Sequence, residues 1–187
     1  MLKLIIPPED LFDEKNNKFI PVKGTTISLE HSLVSISKWE AKHHKIFLDD
    51  SYKKTPEEII DYIKCMTLTQ NVDPLVYMIL KPSAIQKIQE YISDPMTGTH
   101  FNEDNIKKIN NKSTRNDEKM SSEMIYYYMV ASQIPFECQK WHINRLLTLI
   151  RICGLKNQEP KKMSKSDLAS KYRSVNAARR AAHKHPK

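Results

Sequence analysis

The chain has 187 residues, 40% of them apolar and 28% charged, which is enough for one well-buried domain or a domain with an appendage. The formal net charge of +8 is localised: residues 1–155 hold twenty Lys+Arg and twenty Asp+Glu, whereas residues 156–187 hold ten basic residues against only Glu159 and Asp167. This is a neutral body with a basic end rather than a basic protein, and Cys65, Cys138 and Cys153, with no Cys-x-x-Cys pair, indicate neither a disulfide framework nor a zinc ribbon.

Residues 2–6, 19–22 and 25–30 read as short strands, with the alternation of Leu2, Leu4 and Ile6 as the clearest signal. Pro21 places its strand at an edge. A β-hairpin or three-stranded sheet is expected there. Too short for a signal sequence, Met1–Ile6 ends at Pro7-Pro8, so a soluble protein in a reducing compartment is expected.

Helices follow. His31–His44 carries Leu33, Ile36 and Trp39 at helical spacing. Thr55-Pro56-Glu57-Glu58 is a helix start with a capping box, and it opens a face of Ile59, Ile63 and Met66. Asp73-Pro74 starts a short helix through Leu80, and Ser83 starts another with Ile85, Ile88 and Ile92. Residues 94–119 are too polar to pattern and read as a surface loop. Ser122–Ser132 is apolar or aromatic all round. Phe136–Cys153 is expected to be one helix, with Phe136, Ile143, Leu146, Leu147, Ile150 and Cys153 in a stripe and Gly154 as its C-terminal cap.

Beyond a Pro160-containing linker, Ser164-Lys165-Ser166-Asp167 fits a capping signal. Leu168, Tyr172, Val175, Ala178 and Ala182 then form a thin apolar stripe on an alanine-rich helix. The expected fold is mainly α (α+β): a neutral body over 1–155, with strands in 1–30 and a helical bundle in 31–155, then a basic linker and projecting helix over 156–187.

Three glycines, at 24, 98 and 154, leave no Gly-rich phosphate cradle, and no G-x-S-x-G elbow can be written. Cys138 and His142 stand four residues apart on the expected helix, but no second ligand pair accompanies them, so core Cys and hydrogen-bonded His is the better reading. His43 and His44 diverge by about 100° and do not converge on an ion. Glu57-Glu58 serve the helix dipole. A non-enzymatic protein without metal or cofactor is therefore expected.

Tyr126-Tyr127-Tyr128, with Met120, Met124 and Met129 around them, read first as core packing; a stacking platform or a partner-binding face are the alternatives. The basic end reads as an electrostatic docking element, for nucleic acid, an acidic protein surface or acidic segments of a large assembly. The candidate partner-binding residues are Tyr127, Tyr128, Trp141, Arg145, Lys161, Lys162, Tyr172, Arg173, Arg179 and Arg180.

Three strings, Leu29-Glu30-His31-Ser32-Leu33-Val34-Ser35-Ile36-Ser37-Lys38-Trp39-Glu40, Asp61-Tyr62-Ile63-Lys64-Cys65-Met66-Thr67 and Ile134-Pro135-Phe136-Glu137-Cys138-Gln139-Lys140-Trp141-His142-Ile143-Asn144-Arg145-Leu146-Leu147, resemble the tail assembly chaperones of long-tailed bacteriophages. Pro160-Lys161-Lys162-Met163-Ser164 and Asn176-Ala177-Ala178-Arg179-Arg180 resemble the same family. Where the family pattern is denser in arginine after Met163, this chain has Lys165-Ser166-Asp167.

The resemblance implies assembly rather than catalysis. It implies binding to the tape measure protein, recruitment of major tail protein, self-association, a place in the host cytoplasm and absence from the mature virion. It also implies a longer frameshifted form, of which this chain would be the short version. A nucleic-acid-binding or packaging-associated protein, less favoured, and a connector or tail-completion protein are the competing readings. No membrane partner is expected.

Overall fold

The computed structural model describes residues 1–99, 101, 120–157 and 165–183, and its architecture is mixed α+β. The chain divides into two units, Met1–Cys153 and Gly154–Lys187.

The first unit opens with four strands, β1 (Leu2–Ile6), β2 (Glu9–Asp13), β3 (Lys18–Val22) and β4 (Thr25–Leu29). β1 pairs antiparallel with β4, and β2 with β3. The expected small N-terminal β element is present, built from four strands in two ladders, of which β2 is the one the sequence pattern does not reveal. Both ladders share one register, since Leu2 faces Leu29, Ile6 faces Thr25, Glu9 faces Val22 and Asp13 faces Lys18. They are two halves of a single hairpin, interrupted where Pro7-Pro8 lie opposite Lys23-Gly24. Proline has no N–H for the ladder, so the pairing lapses there.

At the interruption the strands approach closely. A Cβ on Gly24 would lie 2.8 Å from Pro8 Cδ and 3.1 Å from the Ile6 carbonyl oxygen. Gly24→Ala is therefore expected to destabilise the protein by about 1–3 kcal/mol through overpacking, read as a lowered urea midpoint.

Ile27 and Leu29 of β4 and Leu4 and Ile6 of β1 face the core; each such side chain contributes about 2 kcal/mol on full burial. The chain then enters α1 (Leu33–His43), whose start is a Ser32/Ser35 capping box and whose end is His44 in the left-handed region at φ 52°. Leu33, Ile36 and Trp39 are fully buried, and the Trp39 indole N–H donates to the Glu58 carbonyl at 2.9 Å. That bond ties α1 to α2 (Pro56–Met66), which begins with the expected Thr55-Pro56-Glu58 box. After α2 the chain extends, and its backbone lines the free edge of β4 through Glu30 N–H to Met66 O (2.9 Å) and Leu68 N–H to Ser28 O (2.8 Å).

Asp73-Pro74 opens only a 3-10 turn, Pro74–Tyr77, rather than a helix to Leu80. α3 (Pro82–Ser93) follows, with Ile88 and Tyr91 buried. The loop expected over 94–119 lies mostly outside the described residues. α4 (Ser122–Ala131) buries Ser122, Ile125 and Met129 and packs against α1.

The single helix expected over Phe136–Cys153 is not found. Phe136–Lys140 is a 3-10 turn with Phe136 exposed, and α5 spans Ile143–Lys156. Between them Trp141 is extended and His142 forms an antiparallel bridge with Ser32. The Ile143 N–H, which a continuous helix would direct to residue 139, donates instead to the His31 carbonyl at 2.7 Å. A tertiary hydrogen bond has displaced a helical one. Cys138 and His142 are consequently not one helical turn apart, and α5 runs through Gly154, which is not in the left-handed region and does not cap it. In the second unit, α6 spans Lys165–His183; Ser164, the expected cap, is outside the described residues.

Candidate partner-binding surfaces

α4 is apolar all round because one side meets α1 and the other does not. On that second side Tyr127 is 63% and Val130 60% exposed. Gln133, at φ 54°, ends the helix and turns the chain back, with Ile134 N–H donating to the Met129 carbonyl at 2.8 Å. The turn brings Phe136, 54% exposed, beside α4: its ring centroid is 6.4 Å from that of Tyr126. The Tyr126 hydroxyl donates to Gln139 Oε1 at 2.9 Å and fastens the turn to the helix. Burial pushes the Tyr126 phenol up from its ordinary range, so it stays a donor at neutral pH. Tyr127 and Val130 thus stand exposed on α4, and Phe136 on the turn fastened to it.

Of the residues expected from sequence, Tyr127 and Tyr128 meet edge to face at 5.6 Å, and the Arg145 guanidinium lies 4.5 Å over the Trp141 ring. Tyr172, Arg173, Arg179 and Arg180 are exposed on α6, while Lys161 and Lys162 lie outside the described residues. Val130 and Phe136 were missed. The helical spacing puts Phe136 in the core stripe of a continuous helix, and Pro135 is the local signal that its orientation changes.

A second feature is a closed polar cluster at the junction of β4, α1, α2, α3 and α5. His31 is 2% exposed, and its Nδ1 pairs with the Tyr62 hydroxyl; its ring stands edge-on to His142 at 5.0 Å. Ser35 Oγ, 3.5 Å from the same Tyr62 hydroxyl, donates to the Ser32 carbonyl at 2.7 Å. His142 Nε2–H donates to the Tyr91 carbonyl at 3.0 Å, and its Nδ1 accepts the Asn144 N–H at 3.3 Å, capping α5. The Tyr91 hydroxyl donates to Glu30 at 2.6 Å.

Burial, with His142 alongside, lowers the His31 pKa to about 3, and burial lowers that of His142 as well. Both rings are neutral. His31 Nδ1 bonds to Tyr62 and both nitrogens of His142 bond to backbone, so the cluster reads as structural.

Among the described residues, no group of three or more His, Cys, Asp or Glu is arranged to hold a metal ion, and no helix is long and apolar enough to cross a membrane. His43 stacks on Trp39 at 4.5 Å with its Nε2 3.3 Å from Asp61. Two grooves, of about 210 Å³ beside β1 and α3 and about 500 Å³ beside Gly24 and Thr69, bring no histidine or cysteine to their walls. Comparison with protein-family models, with curated proteins and with solved structures gave no match.

Proposed function

We propose that this protein is a non-enzymatic tail assembly chaperone that binds the tape measure protein of a long-tailed bacteriophage, keeps it soluble and promotes assembly of the tail tube around it. The residue strings over 29–40, 61–67 and 134–147 supply the identity of the client. The observation that carries client binding is the exposure of Tyr127 and Val130 on a helix whose other side is buried, with Phe136 exposed on the turn that follows. On this reading the protein acts in the host cytoplasm, associates with itself and with major tail protein, and leaves before the virion matures.

Co-expression tests the reading. The client is expected in the soluble fraction with the wild-type protein and in the pellet with a Tyr127→Asp/Val130→Asp variant. Both side chains are exposed, and circular dichroism of the variant separates lost client binding from unfolding. A client equally soluble without this protein ends the proposal. A protein present at fixed copy number in purified particles is instead a connector or tail-completion component.

One observation favours nucleic acid as a second reading: residues 156–187 carry ten basic side chains and two acidic ones. Binding of that kind follows the phosphate backbone and falls steeply with salt. No retention of DNA or RNA at ~50 mM salt dismisses it.

A further inference from the structure

We infer that α6 is a docking helix for an acidic amphipathic helix of a different protein, engaged through a row containing Tyr172, Val175 and Arg179. The helix has 19 residues and is therefore about 28 Å long. Positions 168, 172, 175, 179 and 182 follow one another at intervals of four, three, four and three, the spacing of a two-helix seam, so Arg179 rather than Ala178 of the apolar stripe lies at its centre. On this row Tyr172 is 62% and Val175 41% exposed, so apolar side chains lie open to solvent on a helix whose described residues from 169 to 180 are all exposed.

The charges identify the occupant. From residue 168 to the end of the sequence there is no acidic side chain, and Lys171, Arg173, Arg179 and Arg180 are exposed. Arg179 sits in the row itself. When a second helix covers the row, that guanidinium loses solvent and requires a carboxylate opposite it. A second copy of α6 offers none: in parallel register Arg179 meets Arg179, and in either orientation two basic helices repel.

Nucleic acid fits less well. Arg173 and Arg180 are one heptad apart on a single line that falls outside the row, whereas Lys171 is on the row's other side. The basic groups are therefore spread around the helix, Arg179 in the row, Lys171 beside it and Arg173 and Arg180 behind it, instead of gathering on one face to follow phosphates. A helix with an apolar stripe flanked by glutamates matches both features at once.

Fluorescence anisotropy of the full-length protein at ~150 mM salt tests this with four labelled probes. These are a synthetic heptad peptide with Leu in its seam and Glu on the flanks, the same peptide with Lys for Glu, a DNA duplex and a single-stranded RNA. The acidic peptide is expected to bind at least about tenfold more tightly than the other three. Val175→Asp and Arg179→Glu are each expected to weaken it by about tenfold or more, and Arg173→Ala/Arg180→Ala by less than about threefold.

Circular dichroism of each variant shows whether α6 remains helical, and Arg179→Lys, which keeps the charge, separates charge pairing from helix loss by retaining most of the binding. Three results would overturn the inference: no binding of the acidic peptide, tighter binding of either oligonucleotide, or an Arg173/Arg180 effect as large as that of the row. The peptide titration and the client-solubility assay read different parts of the chain, so either can fail alone.

Discussion

Glu40→Ala is expected to cost the body about 3–5 kcal/mol, because it removes two hydrogen bonds to a charged group at about 1.5–3 kcal/mol each. Glu40 lies on α1 and is only 7% exposed. One carboxylate oxygen accepts the Phe47 N–H at 2.8 Å, which shapes the loop after α1. The other accepts the Ser122 N–H at 2.8 Å, at the first turn of α4. The negative charge faces the positive end of the α4 dipole, and both N–H groups would be orphaned by alanine.

Glu40→Gln separates charge from shape. Its amide oxygen can serve one N–H, but its NH2 group must face the other, so a loss of about 2 kcal/mol is expected. Urea denaturation of the two variants decides the matter. Equal, small losses would mean that solvent replaces the carboxylate and that α4 is held by its apolar stripe alone.

The second large effect is acid sensitivity. His31 titrates near 6.5 in an unfolded chain and at about 3 in the folded one. Below pH 6.5 the unfolded state therefore binds a proton that the folded state refuses. The stabilisation is complete above pH 6.5 and is lost progressively as pH falls towards 3, amounting to about 2 kcal/mol between pH 7 and pH 5 from this group alone. His142 shifts in the same direction and adds to the slope: a proton on its Nδ1 would oppose the Asn144 N–H.

Stability measured against pH in wild type and His31→Gln is expected to give a shallower acid limb for the variant, whatever its stability at pH 7. Parallel acid limbs would place the sensitivity elsewhere.

Local signals in the sequence were strong where the chemistry is local. Thr55-Pro56-Glu57-Glu58 marked the start of α2 to the residue, because a capping box satisfies amides three positions away. Leu4, Ile6, Leu33, Ile36 and Trp39 were legible as core by their spacing. β2 was not legible: Glu9-Asp10-Leu11-Phe12-Asp13 is acidic and poor in β-formers, and its strand state comes from its partner, β3.

The break at Trp141-His142 was equally hidden. It follows from a hydrogen bond to His31, more than a hundred residues earlier, that no periodicity records. For the candidate surface, the aromatic run was visible in the sequence but its orientation was not. Only the packing of Ile125 and Met129 onto α1 determines that Tyr127 and Val130 face outward.

The contact between His31 and Ile143 also sets a condition on how the protein is made. Ribosomes deliver the N-terminus first, at about 5–20 residues per second, so the stretch separating these two residues takes on the order of ten seconds to appear. Until Ile143 arrives, the His31 carbonyl lacks its final partner and the nascent chain must wait with much of its apolar interior uncovered. Contacts so distant in sequence raise the contact order and slow closure further. A protein proposed to shelter another chain thus has an unsheltered interval of its own.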